Sequence, residues 1–385
     1  MIPYGRQSIS QEDVESVVEV LRSDWLTQGP TVRRFEETMA ERCGARYAVA
    51  VSSATAGLHL GCLALGLEEG DSLWTSPNTF VASANCARYC GADVDFVDID
   101  PLTYNMDVPD LRKRLEAARD KGNLPKVVVP VHFSGQSCDM EGIAALAKEF
   151  GFKIMEDASH AVGADYKERP VGCGAFSDLT IFSFHPVKIM TTGEGGMVLT
   201  NDEALYKKLV ALRQHGITRD ESLMENGSDG PWYYEQHDLG LNYRITDFQC
   251  ALGLSQLSKL YGFLKRRRAL AARYDELLKD LPVRVPFQKS DGVSSWHLYV
   301  IRVETTNSSK THRTIFESLR EAGIGVQLHY IPVHLQPYYR KQGFGPGDFP
   351  EAERYYGEAI TLPLFPAMTD AEQDEVVTTL EKILL

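Results

Sequence analysis

Apolar positions between residues 47 and 201 follow two alternating patterns. Short β-branched runs, typical of buried strands, are separated by segments in which apolar residues return every three or four positions, as on one helix face. The predicted strands are 47–51, 71–75, 94–99, 126–131, 153–156, 178–183 and 196–200, and the predicted helices are 56–65, 80–89, 140–150 and 203–214, with Asp139 and Asp202 as N-caps. This order predicts an α/β fold with a seven-stranded, mostly parallel sheet covered by helices.

A long helical pattern begins at Thr246 and continues to about residue 281, where Pro282 ends it. Because such a helix is too long for one small domain, we expect it to connect two. After it, strand-like segments 296–303 and 326–330 alternate with helical segments 311–322, 352–356 and 370–384. We therefore predict a large domain with an N-terminal arm over residues 1–245, and a long linking helix with a smaller α+β domain over residues 246–385.

The charge balance narrows the class of partner. Across 385 residues, 40 Lys+Arg against 53 Asp+Glu give a net charge of −13, and 43% of the chain is hydrophobic. Such an acidic total argues against binding to nucleic acid or to an anionic membrane, and the ordinary composition is that of a globular enzyme. The one basic run, residues 265–268, is predicted to be a solvated helix face, with an anion or partner contact as the alternative.

The cysteines and the first residues of the chain indicate in which cellular compartment the protein is expected and whether it is expected to bind a metal. The seven cysteines are scattered along the chain, which argues against a disulfide scaffold. Cys86 and Cys90 could lie one helical turn apart, but no second Cys/His pair accompanies them, so we expect buried small side chains and no metal site. The first ten residues lack the pattern of a signal peptide, and no run approaches 18 apolar residues, which predicts a cytoplasmic protein.

In parallel sheets, ligands bind beyond the carboxyl ends of the strands, so residues that follow the predicted strands are site candidates. Small residues 52–55 open a helix whose free N–H groups could bind a phosphate, although a plain Ser/Thr cap is the alternative. Glu156, Asp157 and His160 follow the fifth strand, where a carboxylate could bind a metal, act as a base, neutralise a protonated ring nitrogen or be merely structural. Phe80, after the second strand, could stack on a flat ring or belong to the core.

The sixth strand leads into Lys188, which Pro186 places in a turn rather than in a helix or strand. A solvated loop lysine is common, but one between Ser183 and a glycine-rich turn could lie in a dry pocket, where its amine is a nucleophile. A nucleophilic lysine, a carboxylate, an aromatic ring and a phosphate-binding turn together suit pyridoxal 5′-phosphate. This cofactor needs a lysine for its Schiff base, an anion beside its pyridine nitrogen and hydrogen-bond donors for its phosphate.

Several motifs spread over the chain carry a family resemblance. They are LTQGP (26–30), SSATAGL, TFVAS, EDASH, SFHPVK, TTGEGG, GLNYRITDFQ (240–249) and VQLHYIPVH (326–334). With these motifs the chain resembles the DegT/DnrJ/EryC1/StrS sugar aminotransferases, which have the aspartate-aminotransferase fold. The resemblance implies that Lys188 forms the Schiff base with pyridoxal 5′-phosphate and later moves the proton. A dehydratase branch of the family has histidine there, so Lys188 favours amino transfer over dehydration.

The resemblance also implies roles for individual residues. Asp157 would pair with the pyridine nitrogen, Phe80 and His160 would bracket or orient the ring, and Ala54, Thr55 and Ser183 would hold the phosphate. Asn242 would reach the phosphate from the neighbouring subunit, which implies a homodimer with shared active sites. The residues implied around the sugar and nucleotide are Tyr4, Asp24, Trp25, Leu26, Thr27, His329 and Tyr330, and for Tyr4 and Tyr330 a packing role is the alternative. The loop around residues 232–234 is a further candidate for the nucleotide pocket.

Within the family, residues 230–257 and the SFHPVK motif are most similar to the branch that serves pseudaminic acid biosynthesis. That similarity implies transfer of the amino group of L-glutamate to C4 of a UDP-linked 4-keto-6-deoxy-N-acetyl-hexosamine. The alternative within the family is a transaminase of the perosamine or viosamine type, with a GDP- or dTDP-linked ketone. A non-catalytic sensor with the same fold is disfavoured, because Lys188 is present and no DNA-binding module is seen.

Overall fold

The computed structural model describes residues 1–303 and 310–385. Its strands are β1 (Tyr47–Val51), β2 (Ser72–Thr75), β3 (Asp93–Phe96), β4 (Val127–Val129), β5 (Lys153–Asp157), β6 (Asp165–Tyr166), β7 (Arg169–Pro170), β8 (Leu179–Ser183), β9 (Gly196–Thr200), β10 (Ile217–Thr218), β11 (Glu235–Gln236), β12 (Val283–Arg284), β13 (Gly292–Val293), β14 (Tyr299–Val303) and β15 (Ala359–Leu362). Its α-helices are α1 (Gln11–Leu21), α2 (Pro30–Cys43), α3 (Ala54–Ala64), α4 (Ala82–Tyr89), α5 (Val108–Lys121), α6 (Met140–Phe150), α7 (Glu203–Arg213), α8 (Asp247–Leu278), α9 (His312–Glu321), α10 (Pro337–Arg340), α11 (Pro350–Glu358) and α12 (Asp370–Leu384).

A seven-stranded sheet forms the centre of the fold, in the order β1-β9-β8-β5-β4-β2-β3. Strands β8, β5, β4, β2 and β3 pair in parallel, whereas β9 runs antiparallel to both β1 and β8. The predicted seven-stranded, mostly parallel sheet is therefore confirmed. Because β9 alone is reversed, the carboxyl ends of the other strands and the start of β9 meet at one edge of the sheet.

Burial explains why the sequence pattern located these strands so well. Every residue of β8 and β9 is buried, and such strands read as continuous apolar runs rather than as alternating ones. Asp139 and Asp202 cap α6 and α7 as expected, since each side chain accepts a hydrogen bond from a first-turn N–H group. In the part of the chain that the structure describes, no helix is long and apolar enough to cross a lipid bilayer.

The long helix α8 begins one residue after its N-cap Thr246, within a residue of the predicted start, and packs against α1, α2 and α12. Its first residue, Asp247, is buried and accepts hydrogen bonds from the N–H groups of Gly29 (2.7 Å) and Thr31 (3.0 Å) at the start of α2. A carboxylate at a helix N-terminus is stabilised by the free N–H groups and the helix dipole. The division of the chain after residue 245 stays a prediction.

A second, antiparallel sheet has the order β12-β14-β15. The predicted strand 326–330 is wrong, because this segment contributes a single bridge, between Gln327 and Thr361, rather than a strand. The apolar residues of this segment produced a wrong prediction because they pack in different parts of the protein. Val326 packs in the core beside the second sheet, whereas Tyr330 packs against the core of the large sheet and lines a cavity there. The strand that pairs with β14 is β15, which the sequence pattern did not predict.

The basic run on α8 is not a solvated face, so that prediction is wrong. Arg267 is fully buried, and its Nη1 donates to the carbonyl oxygens of Trp296 (3.1 Å), His297 (3.2 Å) and Leu364 (3.0 Å). Its two neighbours in the run also bond to backbone carbonyls of other segments. Burial lowers the pKa of Arg267 to about 10, which leaves the guanidinium charged at neutral pH. Hydrogen bonds from the run therefore hold α8 against the segment before β14, the segment after β15 and Gly163.

Replacing Arg267 by leucine is expected to lower the free energy of unfolding by about 3 kcal/mol or more, because three buried carbonyls lose their donor. Denaturant-induced unfolding followed by circular dichroism measures this change. The neighbouring Lys265 is exposed, so Lys265→Ala is the matched control and is expected to change stability by about 0.5 kcal/mol at most. A loss for Arg267→Leu no larger than that of the control would contradict the role assigned to Arg267.

Candidate active site

A cavity of about 670 Å³ lies at the sheet edge where β1, β2, β5 and β8 end. This is the edge at which parallel sheets bind ligands. Ten of the residues singled out in the sequence line it, and they are Tyr4, Ala54, Thr55, Phe80, Asp157, His160, Ser183, Lys188, His329 and Tyr330. The structure therefore brings together residues that are up to 326 positions apart in the chain, from Tyr4 to Tyr330.

One wall of the cavity is the N-terminus of α3. Ser53 is the N-cap, and its hydroxyl accepts a hydrogen bond from the N–H of Ala56 at 3.1 Å. Within the described residues, no acceptor is recorded for the N–H groups of Ala54 and Thr55. A Cβ on Gly196 would lie 2.6 Å from the Ala54 nitrogen, so only glycine lets β9 pass this close beneath the turn. This wall offers unpaired N–H groups to an anion.

Asp157 ends β5 at the floor of the cavity and is only 5% exposed. Its Oδ2 accepts a hydrogen bond from the Ser83 hydroxyl at 2.6 Å, and its Oδ1 accepts one from the Ser159 N–H at 3.1 Å. The Thr79 and Ser83 hydroxyls lie 2.8 Å apart, which extends the network to the turn before α4. The carboxylate is thus held in one orientation and presented to a cationic partner in the cavity.

Lys188 lies in a loop between β8 and β9. The loop is closed by the Thr192 N–H, which donates to the Phe184 carbonyl at 3.0 Å, and by the Lys188 N–H, which donates to His185 at 2.9 Å. Burial lowers the pKa of the Lys188 amine to about 8, although the Asp157 carboxylate acts in the opposite direction. The dry-pocket alternative for Lys188 is therefore favoured over the solvated-loop alternative, since a lower pKa leaves more of the amine unprotonated.

Three buried histidines line the same cavity as the lysine. His160 accepts a hydrogen bond at Nδ1 from the Ser134 N–H (3.2 Å), so its Nε2–H donates to the Tyr330 hydroxyl (3.0 Å). Burial and then the Lys188 charge lower the pKa of His160 well below its ordinary value and that of His329 to about 3. Burial, followed by nearby charged groups that include Lys188, also lowers the pKa of His297. All three rings are therefore neutral at physiological pH.

Aromatic side chains form another part of the cavity wall. Phe80 is 59% exposed, which excludes the core alternative for it, and its ring lies 6.3 Å from that of Tyr330. The Tyr4 ring lies 5.4 Å from the His329 ring. Tyr4 and Tyr330 also pack against the core of the large sheet, so each combines packing with a place at the cavity wall.

Five predicted residues do not line the cavity of their own chain. Asp24, Trp25, Leu26 and Thr27 are exposed between α1 and α2, and Asn242 is exposed in a segment that bridges to Gln214. That segment nevertheless lies beside the site, because the Tyr243 carbonyl accepts a hydrogen bond from the Ser52 N–H at 2.9 Å. The roles of these five residues stay predictions, and each of them requires a second subunit.

Several residues of the site were not predicted from the sequence, among them Ser83 and His297. Ser83 holds Asp157 from α4, and its side chain is fully buried in the middle of an apolar helical pattern. His297 lines the cavity from the segment before β14, inside a predicted strand. The one available signal was a polar residue at a position where the apolar pattern predicts a buried side chain.

The sequence of this chain is similar to those of known proteins. The model of the DegT/DnrJ/EryC1/StrS aminotransferase family matches residues 7–381. The spore coat polysaccharide biosynthesis protein SpsC of Bacillus subtilis (strain 168) is 42% identical over 386 aligned residues, which cover 100% of this chain and 97% of SpsC.

Solved structures of two proteins are also similar over the whole chain. Helicobacter pylori PseC, an aminotransferase involved in the biosynthesis of pseudoaminic acid, has a TM-score of 0.90 at 31% identity, covering 100% of this chain and 99% of its own. Spr1654 of Streptococcus pneumoniae in its PLP-form has a TM-score of 0.88 at 30% identity, covering 100% of both chains. Spr1654 has also been solved in its PMP-form, at a TM-score of 0.89 and 30% identity, covering 100% of this chain and 99% of its own.

The cavity residues fit pyridoxal 5′-phosphate. The unpaired N–H groups at the start of α3 match a phosphate, and the fixed carboxylate of Asp157 matches a protonated ring nitrogen. The Lys188 amine, with its lowered pKa, matches an aldehyde. Aminotransferases of the matched family use this cofactor.

Proposed function

The chain belongs to the DegT/DnrJ/EryC1/StrS aminotransferase family, and we propose that it transfers the amino group of L-glutamate to C4 of a UDP-linked 4-keto-6-deoxy-N-acetyl-hexosamine. The observation that carries the proposal is the convergence of the α3 N-terminus, Asp157 and Lys188 on one cavity. The likeness to PseC supports the choice of sugar, together with the motifs in residues 230–257.

Each part of the cofactor would be held by a different element. The N–H groups of Ala54 and Thr55 and the hydroxyls of Thr55 and Ser183 would bind the phosphate, and Asp157 would pair with the ring nitrogen. His160, neutral and fixed by two hydrogen bonds, would lie against the ring. When bound, pyridoxal 5′-phosphate supplies an aldehyde that accepts an amino group and a pyridinium ring that delocalises an electron pair.

Lys188 has the properties that a proton carrier in this cavity needs. A pKa of about 8 instead of 10.5 leaves about one amine in ten unprotonated at pH 7, roughly 300 times more than an ordinary lysine. Its Nζ would take a proton from Cα of L-glutamate in the first half-reaction and give one to C4 of the sugar in the second. The same group thus serves as base and as acid.

The neutral histidines help to keep the lysine in this state. A protonated histidine at the position of His160, His297 or His329 would repel the positive charge that Lys188 carries during each proton transfer. Burial holds all three rings neutral, so Lys188 is the group of this set that changes charge.

We extend the proposal to a homodimer with shared active sites. Asn242 is exposed, and the exposed Trp25 and Leu26 form an apolar surface beside the α2 N-terminus. In a dimer, these residues would complete the phosphate and nucleotide sites of the partner's cavity. The exposed Trp232 and Tyr234 would add aromatic surface for a uracil base.

The choice of nucleotide is tested by supplying the loaded enzyme with L-glutamate and UDP-, dTDP- or GDP-linked 4-keto sugars. We expect kcat/KM to be at least about tenfold higher for the UDP-linked N-acetyl sugar, a difference of the size that pocket contacts provide. Mass spectrometry of the aminated products measures the ratio. Equal or higher turnover of a GDP- or dTDP-linked ketone would replace the proposed substrate with the perosamine or viosamine type while leaving the aminotransferase activity in place.

A further inference from the structure

His297 lies in the cavity wall and is held there rigidly. It is 4% exposed, its backbone N–H donates to the Ser134 carbonyl at 2.9 Å, and its carbonyl accepts a hydrogen bond from Arg267 at 3.2 Å. Its ring centroid lies 4.4 Å from that of His160, with 50° between the planes. Contacts on the backbone and on one ring face therefore fix the direction of its ring nitrogens.

The hydrogen bonding of this ring is incomplete. Its Nδ1 is buried and has no partner within the described residues, whereas its Nε2 keeps access to the cavity. Burial, followed by the neighbouring ionisable groups of His160 and Lys188, lowers the pKa of His297, so the ring is neutral and carries one N–H. Because a buried N–H without an acceptor is rarer than an unpaired lone pair, we place the proton on Nε2.

Two other buried histidines of the wall have hydrogen-bond partners on at least one ring nitrogen. His160 uses both ring nitrogens, on the Ser134 N–H and the Tyr330 hydroxyl, and His329 bonds through Nδ1 to the Thr361 hydroxyl at 2.9 Å. The described lining of the cavity also contains no arginine. An imidazole N–H on His297 is therefore one of the donors that this chain offers to oxygen atoms of a bound substrate.

We propose that His297 is a substrate-binding residue whose Nε2–H donates a hydrogen bond to an oxygen atom of a substrate in this cavity. The inference rests on the proposed function and deepens it. Both substrates carry suitable oxygens, in the carboxylate of the amino donor and in the hydroxyl groups of the hexosamine. Because the two substrates react in separate half-reactions, experiment can distinguish which of them His297 contacts.

The test compares His297→Phe, which keeps the ring but has no N–H, with His297→Gln, which keeps an N–H donor. His334 is the matched control, since its Nδ1 is also buried without a partner among the described residues but its Nε2 bonds to Glu353 at 3.0 Å, outside the cavity lining. Rapid mixing measures kcat and KM of each half-reaction. Calorimetry measures the dissociation constants of 2-oxoglutarate and UDP-N-acetylglucosamine, which bind the pyridoxal-phosphate-loaded enzyme without transferring an amino group.

We expect His297→Phe to raise KM about tenfold in one half-reaction, to weaken the corresponding unreactive ligand by a similar factor and to leave the other half-reaction within about twofold. His297→Gln should recover most of this loss, and His334→Gln should change neither KM. Unchanged constants in His297→Phe, or equal losses in both half-reactions that glutamine does not recover, would overturn the inference. If the wild type catalysed neither half-reaction, while His297→Phe still weakened one ligand, the proposed function would fail and the binding role would stand.

Discussion

Replacing Lys188 by alanine is expected to lower kcat by at least about 1,000-fold, in both half-reactions. In the proposed mechanism the amine is the nucleophile of the site and its proton carrier, and removal of a positioned acid–base group costs about 10²- to 10⁴-fold on its own. Formation of 2-oxoglutarate from L-glutamate measures the first half-reaction. Lys148, exposed on α6, provides the control, and Lys148→Ala should retain full activity.

Loss of activity in this variant is separable from loss of structure. The pKa of Lys188 is about 8 when folded and 10.5 when unfolded, so the unfolded chain binds this proton more tightly. Below about pH 8, burial of the protonated amine therefore lowers the free energy of unfolding of the apo protein by its full amount. This destabilisation disappears as the pH rises from about 8 to 10.5. Lys188→Met removes the penalty, and at pH 7 its apo form should be more stable than the wild type by at most about 3 kcal/mol. A variant that is inactive because it is less stable would contradict this account.

Replacing Asp157 by asparagine is expected to lower kcat by about 100- to 1,000-fold while leaving Lys188 reactive. The substitution keeps a side chain of the same shape but removes the negative charge at the cavity floor. A fixed charge aimed at a site where charge develops contributes about this much to rate. Titration of the variant with pyridoxal 5′-phosphate should show weaker binding, and steady-state assays give kcat.

The residue behind Asp157 offers a graded comparison. The Ser83 hydroxyl donates to Asp157 Oδ2 at 2.6 Å but does not line the cavity, so Ser83 positions the carboxylate without contacting substrate. Ser83→Ala should lower kcat only about tenfold, and combining it with Asp157→Asn should add little, since both act through one group. Independent, multiplicative losses, or a smaller loss for Asp157→Asn than for Ser83→Ala, would contradict the role of the carboxylate.

The central sheet could be predicted because most of its strands are buried on both faces. Strands β1 and β9 have the predicted bounds, and the others differ by a few residues at their ends. The apolar pattern gave a wrong prediction for residues 326–330, because residues of that one segment pack in two different cores. It also gave a wrong prediction for Arg267, because a charged side chain is buried there. Long aliphatic stems and planar donors let an arginine lie in the interior if carbonyls receive its N–H groups, and sequence spacing does not reveal those carbonyls.

The site could be predicted as far as strand exits define it. Asp157, Ser183 and the α3 N-terminus follow or end parallel strands, so the topology alone brings them to one edge. His297 and Ser83 could not be found in this way, because tertiary packing, rather than a strand exit, carries them to the cavity.

The most direct test of the account is the visible absorbance spectrum of the pyridoxal-phosphate-loaded protein, recorded before and after addition of L-glutamate. The account predicts a visible band in the wild type that shifts to the ultraviolet as 2-oxoglutarate appears in equal amount, and the absence of this conversion in Lys188→Ala. A band that L-glutamate leaves unchanged, or a Lys188→Ala variant that converts as fast as the wild type, would contradict the central claim that this cavity transfers an amino group through Lys188.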